Sequence, residues 1–413
     1  MNKSLIINAS QIVTPKGFSA VKGKAMNNLT IIEDGAIAIC DDKIEAIGTT
    51  NELLDKLGSL NDYKVINANG KCILPGFVDS HTHFIFGGYR PIEFINRING
   101  TPYLDILKAG GGIQNTVNST RNSSFISLYE SAIDRLNGML SQGITTIESK
   151  SGYGLDLNTE LKQLKVSNLC NNNHPIDIIN TYLGAHAVPI EFSNKNNEYI
   201  NFMIEKVLPI VKQDNLAEFC DVFCEDSVFS IEESRTLLTK AKDMGFKLKL
   251  HADEIISLGG AELAGELKAV SADHLLAISD KGINSMIENN VIATLLPCTA
   301  FCLNKPYAPA RKLIDSGASV ALATDFNPGS CFTNSIPLVL ALATIHMNMT
   351  INEAITAITL NGAAAIDKAN SIGSIEAGKK ADLVILKYPD YRFLIYNTGI
   401  NIVDKVVKNG IFY

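Results

Sequence analysis

The stretch Val78-Asp-Ser-His-Thr-His83 ends an apolar run in two histidines separated by one residue. Side chains two apart on a strand leave the same face, so His81 and His83 can turn both rings toward one ion. The chain holds seven histidines in 413 residues, so so close a pair carries information. His251 ends another strand-like run, and Asp325 ends a third. Three neutral imidazoles and one carboxylate suit a single Zn²⁺ or Fe²⁺ and leave a position for water. A bound divalent cation draws the pKa of its water toward about 7, giving a nucleophile at neutral pH. Such a centre also needs groups that orient the nucleophile and move protons. Glu254, shortly after His251, and His274, at the end of the next run, are the candidates. Each has an ordinary alternative: a carboxylate favoured at a helix start, and a core histidine with a satisfied hydrogen bond. His174 and His346 lie away from strand ends and receive no role.

These residues can meet only if the scaffold opens all the strand ends on one side. Strand-like runs end near Asp79–His83, Glu148, His186, Glu225, His251, His274, Pro297 and Asp325, with helical patterns between them. Ser230 and Glu233 form a capping box for a helix that stops at Gly245, and Phe246-Lys-Leu-Lys-Leu250 then alternates as a strand. Ile126, Tyr129, Ile133, Leu136 and Leu140 recur at helical spacing before Gly143 and the run Ile144–Ile147. Eight βα units over about 280 residues predict an α/β fold, a (β/α)8 TIM barrel, with its active site at the C-terminal strand ends. A doubly wound sheet fits less well, because no strand clearly precedes the Gly110-Gly-Gly112 run and it is no phosphate turn.

Both ends of the chain read differently. Ile31–Ile32, Ala36–Ile39 and Ile44–Ile47 are short strands, with Asp34-Gly35 and Asp41-Asp42 as the turns between them. Ala381–Leu386 and Ile402–Val407 return to that style. The expectation is a small composite β-sandwich domain from residues 1–70 and 366–413, flanking a barrel over 71–365.

Hydrophobic residues make up 46% and charged residues 19%, which permits a large core and excludes a disordered or fibrous chain. Lys+Arg 36 against Asp+Glu 43 gives −7, which argues against a nucleic-acid surface or a basic membrane patch. The apolar stretch in MNKSLIINAS is too short for a signal-peptide core, and Ile336–Ile345 covers about half a bilayer. The eight cysteines contain no CxxC pair, and Cys220/Cys224 and Cys298/Cys302 read as buried small apolar residues rather than disulfides. A cytoplasmic enzyme with a small-molecule substrate is expected, with no nucleic-acid or membrane partner; a homodimer is the prior for soluble enzymes.

With Leu74-Pro-Gly-Phe-Val-Asp79 leading into His81-Thr-His83, the chain resembles the amidohydrolase superfamily. Asn361-Gly-Ala-Ala-Ala365 and Gly373-Ser-Ile-Glu-Ala-Gly-Lys-Lys-Ala-Asp-Leu-Val384 are similar to its closing helix and returning strand. The resemblance narrows to the imidazolonepropionases at Phe86-Gly-Gly-Tyr-Arg90-Pro-Ile-Glu-Phe94, Ala109-Gly-Gly-Gly-Ile113, Glu148-Ser-Lys-Ser-Gly-Tyr153-Gly154 and Thr181-Tyr-Leu-Gly-Ala-His186. Leu250-His-Ala-Asp-Glu254 and Thr324-Asp-Phe-Asn-Pro-Gly-Ser330 continue it, so it runs nearly end to end. It implies hydrolysis of 4-imidazolone-5-propanoate to N-formimidoyl-L-glutamate, a step of histidine degradation. It implies metal ligands at His81, His83, His251 and Asp325, and substrate contacts at Arg90, Tyr153, His186, Glu254, Asn327, Gly329 and Ser330. Many related barrels bridge two metals with a lysine at the end of the fourth strand. Glu225 ends that run here and Lys150 ends the second, so one metal ion per subunit is expected.

A propanoate needs a fixed cation, and a guanidinium can grip it through two parallel hydrogen bonds, which Arg90 is placed to do. Tyr153 lies between two glycines, whose small size lets a ring reach into a cleft. A deaminase of amino-substituted heterocycles would share the ligands, Glu254 and His274, but has no obvious use for Arg90. A metal-binding scaffold without catalysis would not need both proton-transfer candidates.

Overall fold

The computed structural model of the protein describes residues 2–101, 105 and 110–413; Ala109 of the glycine-run motif lies outside them. β1 (Lys3–Thr14) pairs along its length with antiparallel β2 (Thr30–Cys40). Asp41-Asp42 turns β2 into β3 (Lys43–Thr49), as expected. β1 also takes two parallel neighbours in turn, β4 (Tyr63–Asn67) on its first half and β5 (Cys72–Pro75) on its second. The changeover falls at a bulge, where the register with β2 shifts between Ile6 and Ala9 and Asn8 takes a φ of 57°. Opposite that bulge the expected turn at Asp34-Gly35 does not form. β2 runs straight through it: Asp34 adopts φ 46°, and a Cβ on Gly35 would press into Ile12, so the pair kinks a strand instead of ending it.

After Gly76 the chain enters the barrel. Its strands are β6 (Phe77–Asp79), β7 (Ile144–Lys150), β8 (Asp177–Ala185), β9 (Phe219–Cys224), β10 (Lys247–Ala252), β11 (Ser271–His274), β12 (Ile292–Leu295) and β13 (Val320–Leu322). Each pairs in parallel with the next, in chain order. Every residue of β6, β7, β11, β12 and β13 is buried, as parallel strands covered by helices outside and packed inside must be. The ring closes just beyond the ends of β6 and β13: Thr82 bridges Phe326, His83 N–H donates to Phe326 O (2.9 Å), and Asp325 N–H donates to His81 O (3.0 Å). The buried Asp79 carboxylate adds bonds from Thr324 N–H (2.9 Å) and Oγ1–H (2.6 Å). Closure therefore sets the first and last ligand-bearing segments side by side.

Around the barrel, Ser230 caps the helix Ile231–Asp243 through the expected reciprocal box with Glu233. The helix Phe125–Ser141 also forms, but its buried face is Leu128, Ala132, Arg135, Leu136 and Met139, while Ile126 is 67% exposed. Arg135 turns that face inward by donating to the carbonyls of Phe84 (2.7 Å) and Phe86 (3.1 Å). Its guanidinium lies 3.5 Å from the centre of the Phe86 ring.

The chain then returns to the first sheet through β14 (Leu383–Leu386), β15 (Val403–Lys408) and β16 (Ile411–Phe412), with β14 antiparallel to β5. Ile6, Ile12, Ile37 and Ile39 share one apolar cluster with Ile73, Leu383, Ile385 and Val407, so this mixed sheet folds over its own core. All eight cysteines are free thiols. Among the described residues, no helix is long and apolar enough to cross a membrane.

Candidate active site

His81 and His83 follow β6 directly, His251 is the penultimate residue of β10, and Asp325 lies beyond β13 with φ 53°. All four side chains are buried, and one ligand atom each from His81, His83 and His251 lies within 4.8 Å of the others. Asp325 Oδ1 is 3.5 Å from His81 Nε2 and 3.6 Å from His83 Nε2. Donors bound at about 2.1 Å around a tetrahedral ion lie about 3.4 Å apart, so these spacings match a shared cation. His81 Nε2 and both ring nitrogens of His251 are buried without a hydrogen-bond partner. Orphaned buried polar atoms are rare in folded proteins, and here they point to a missing ligand. The donor set therefore fits a divalent ion.

Electrostatics agree. Burial holds the imidazoles of His81, His83 and His251 well below the usual histidine pKa; neighbouring charges, Lys150 among them, push the same way. They are neutral, the form that binds metal. Burial pushes the Asp325 carboxyl up to about 7 even though Thr299 Oγ1–H donates to it at 2.6 Å. A cation held among these side chains would add counter-charge to the little that Lys150 lends Asp325.

Beneath the cluster lies a layer of charge, in which Asp221, Asp273 and Lys249 join Glu148 and Lys150, residues the sequence places only at the end of a strand. Asp273 Oδ2 lies 2.7 Å from His81 Nδ1; a ring protonated on Nδ1 would keep the Nε2 lone pair open toward the cluster. Asp221 Oδ2 stands 3.0 Å from His251 Nδ1, close in distance but outside hydrogen-bond geometry. Lys150 donates to Asp221 (2.6 Å) and Glu148 (3.0 Å), and Lys249 to Glu148 (2.8 Å) and Ser80 O (2.9 Å). Burial pulls Lys150 down, but the Asp221, Glu148 and Asp273 carboxylates outweigh it and hold its pKa above the usual lysine value. Lys150 is thus committed to carboxylates inside the barrel. One signal for this layer was available: Lys249 stands two residues before His251 and so shares its inward face.

Glu254 and His274 meet beside the cluster, with Oε2 and Nδ1 3.5 Å apart. The His274 ring centre is 5.3 Å from that of His81 and 5.1 Å from that of His251. Left-handed backbone at Asp253 (φ 48°), His274 (φ 76°) and Leu275 (φ 62°) marks a site held in a costly conformation. Asp253 sustains it by accepting the N–H groups of Leu258 (3.0 Å), Gly259 (2.9 Å), Gly260 (3.0 Å) and Ala261 (3.0 Å). The buried Glu225 carboxylate accepts Ile255 N–H at 2.7 Å. Burial, then the negative charges of Asp325 and Glu225, push Glu254 up to about 8, while burial brings His274 down to about 4. A carboxyl raised toward neutral pH suits proton transfer there, whereas an imidazole lowered to about 4 stays neutral and suits orienting a partner by hydrogen bond.

Among the remaining predicted residues, two rings pack against the cluster, and the others shape neighbouring loops. His186 stacks on His83 with ring centres 4.9 Å apart and planes at 16°, and its Nδ1 lies 3.1 Å from Gly152 O. Tyr153 is buried with its ring 5.7 Å from His83 and 5.3 Å from His186. The Glu160 carboxylate fixes its turn by accepting N–H groups from Gly152 (3.1 Å), Gly154 (2.8 Å) and Leu155 (2.9 Å). Arg90 spends the Nε–Nη2 edge of its guanidinium on Glu93, with Nε to Oε2 at 2.9 Å. Glu93 is in turn held by Gly112 N–H at 2.9 Å. Arg90 Nη1 sits where a Cβ on residue 329 would be, so a side chain there would have to push the guanidinium aside. Asn327 shapes this loop with its own amide: Oδ1 accepts Gly329 N–H and Ser330 N–H (both 2.8 Å), while Nδ2 donates to Asp325 O (2.7 Å) and Ser330 Oγ (2.8 Å).

A model of the amidohydrolase family matches residues 72–412. The imidazolonepropionase of Clostridium tetani is 58% identical over 406 residues, covering 98% of this chain and 97% of that one. The imidazolonepropionase of Parabacteroides distasonis is 55% identical over 412 residues, covering 100% and 99%. Among solved structures, E. coli guanine deaminase superposes with a TM-score of 0.75 at 15% identity, covering 100% of this chain and 99% of that one. An adenosine deaminase from Xanthomonas campestris with bound zinc gives 0.69 at 17%, covering 100% and 92%. These two share the fold. From its residues, its barrel and its full-length relatives, the chain belongs to the amidohydrolase family and, within it, to the imidazolonepropionases.

Proposed function

We propose that the protein hydrolyses 4-imidazolone-5-propanoate to N-formimidoyl-L-glutamate, a step of histidine degradation. The observation that carries this reading is the near-full-length identity to proteins of that name. The buried group of His81, His83 and His251, with Asp325 beside the first two, and the guanidinium of Arg90 held by Glu93 support it. One divalent ion per subunit, Zn²⁺ or Fe²⁺, would be held by His81, His83, His251 and Asp325. When bound, it polarises a carbonyl and lowers the pKa of water.

The chain's own groups then complete the reaction. Glu254 takes a proton from the attacking water as its oxygen adds to the ring carbonyl carbon. It returns that proton to the ring nitrogen as the carbonyl C–N bond breaks. Neutral His274 orients the nucleophile or the developing oxyanion. His186 and Tyr153 hold the ring, and the loop of Asn327, Gly329 and Ser330 walls the pocket. Arg90 takes the propanoate; with its side edge on Glu93, the end-on pair Nη1 and Nη2 is the face left for a carboxylate. We read residues 71–365 as the catalytic barrel, with β5 (Cys72–Pro75) as the strand that ties its start into the first sheet, and 1–70 with 366–413 as the small domain, in a cytoplasmic homodimer.

Arg90→Ala is expected to raise KM about 100-fold, the loss of a charge-assisted carboxylate grip, with metal content unchanged. Gly329→Ala should do the same in part, by displacing Nη1. Unchanged KM in both would remove Arg90 from the pocket. The function itself is tested by following loss of ring absorbance with 4-imidazolone-5-propanoate while measuring ammonia release from aminopurines and aminopyrimidines. Ring opening alone is expected; deamination without ring opening would replace this reading with a heterocycle deaminase.

A further inference from the structure

Five ionisable side chains fill the barrel interior below the cluster: Glu148, Lys150, Asp221, Lys249 and Asp273, each with no exposed surface. They come from β7, β9, β10 and β11, and the reaction described above uses none of them. Their contacts form one chain of charge. The two Glu148 oxygens are divided between Lys150 (3.0 Å) and Lys249 (2.8 Å). Lys150 continues to Asp221 at 2.6 Å. Asp273 Oδ2 lies 3.5 Å from the Lys150 ammonium and 3.7 Å from that of Lys249, and 2.7 Å from His81 Nδ1. Ser271 Oγ–H fixes the other Asp273 oxygen at 2.6 Å.

We infer that Lys150 and Lys249 are positioning residues of the metal centre, holding Asp273 beneath His81 so that Nδ1 of the ring is engaged and Nε2 stays open as the ligating atom. Three carboxylates this close repel one another, and no solvent reaches them to relieve it. With the two ammonium groups between them, the five offset one another's charge in the arrangement seen, in which Asp273 Oδ2 faces the ring. Without an ammonium group the carboxylates separate, His81 Nδ1 loses its acceptor, and the ring is free to carry its proton on Nε2, which blocks ligation. The same layer explains a second grouping: ligand atoms of His81, Glu148 and Asp273 also lie within 4.8 Å of one another. There Lys249 is already bonded to Glu148, so the positive charge is supplied by the chain. A merely space-filling role would need neither the ring contact nor the shared carboxylate oxygen.

This inference rests on the metal reading proposed above, so the test has one arm that needs no metal. Full-length protein, stripped with a chelator and labelled with ¹⁵N-histidine, is examined by long-range ¹H–¹⁵N correlation, with His81 assigned by its loss in His81→Gln. The unaltered protein is expected to carry the His81 proton on Nδ1. Lys150→Met and Lys249→Met should shift that population toward Nε2–H and weaken Zn²⁺ binding about 10- to 100-fold in competition with a chromogenic chelator. Lys150→Gln and Lys249→Gln, which remove the charge but keep a donor, serve if the methionine variants do not fold, with the same expected result. An Nε2–H ring in the unaltered protein, or folded variants that keep both its tautomer and its Zn²⁺ affinity, would overturn the inference. Failure of the unaltered protein to bind Zn²⁺ or Fe²⁺ would sink the metal reading instead, while the tautomer arm still decides the role of the lysines.

Discussion

Glu254→Gln is expected to keep its metal and lose about 10²- to 10⁴-fold in kcat, the range over which a positioned proton-transfer group contributes. The glutamine preserves size and can still hydrogen-bond, but it can neither take the proton from water nor return it to the ring nitrogen. Its neighbours make the assignment specific. Oε2 lies 3.5 Å from His274 Nδ1, and the loop that carries it is fixed by Asp253 and Glu225. The pH profile supplies a second reading of the same group. A base works ionised, so activity rises with pH through its pKa, and burial pushes Glu254 up to about 8 in the protein alone. A nearby divalent cation pulls it downward, so the acid limb of kcat/KM is expected above the usual carboxylate range of about 4.3 and no higher than about 8. That limb should disappear in Glu254→Gln. A variant that turns over normally would end the proton-shuttle role.

Asp325→Asn is expected to fail differently, losing metal and activity together. Asp325 Oδ1 stands 3.5 and 3.6 Å from two imidazole nitrogens, and it is the one carboxylate in the predicted ligand set. The amide keeps the shape and can still meet Thr299, so folding should survive, but the charge facing the cation is gone. Activity at equal added metal should fall by about 10³-fold or more, since the loss removes both the polarising ion and its activated water. Elemental analysis separates the two variants: Glu254→Gln retains stoichiometric metal and Asp325→Asn does not. An Asp325→Asn protein with full metal and full activity would show that the aspartate is not a ligand.

Much of this site was legible because its chemistry sits at strand ends, where a short apolar run followed by a polar residue is a strong local pattern. The spacing of His81 and His83, the runs ending near His251 and Asp325, and the capping box at Ser230 needed no tertiary information. What escaped did so for identifiable reasons. Phe246-Lys-Leu-Lys-Leu250 alternates as a half-solvated strand would, yet a closed barrel has no solvent on its inner face, and Lys249 is fully buried there. Period two assigns residues to faces; only closure decides that the polar face is the interior. Asp34-Gly35 reads as a turn because both residues tolerate left-handed backbone, and the same tolerance lets β2 kink and continue. The burial of Arg135 depends on the carbonyls of Phe84 and Phe86, some fifty residues earlier, which no helical periodicity records.

The most direct test is anomalous diffraction from crystals of the protein grown with one equivalent of Zn²⁺ or Fe²⁺, with data on both sides of the metal's absorption edge. A single peak per chain should appear within bonding distance of the imidazoles of His81, His83 and His251 and the carboxylate of Asp325, with none among Glu148, Asp221 and Asp273. An active crystal whose peak lies elsewhere, or which shows two metals in the barrel, would contradict the account.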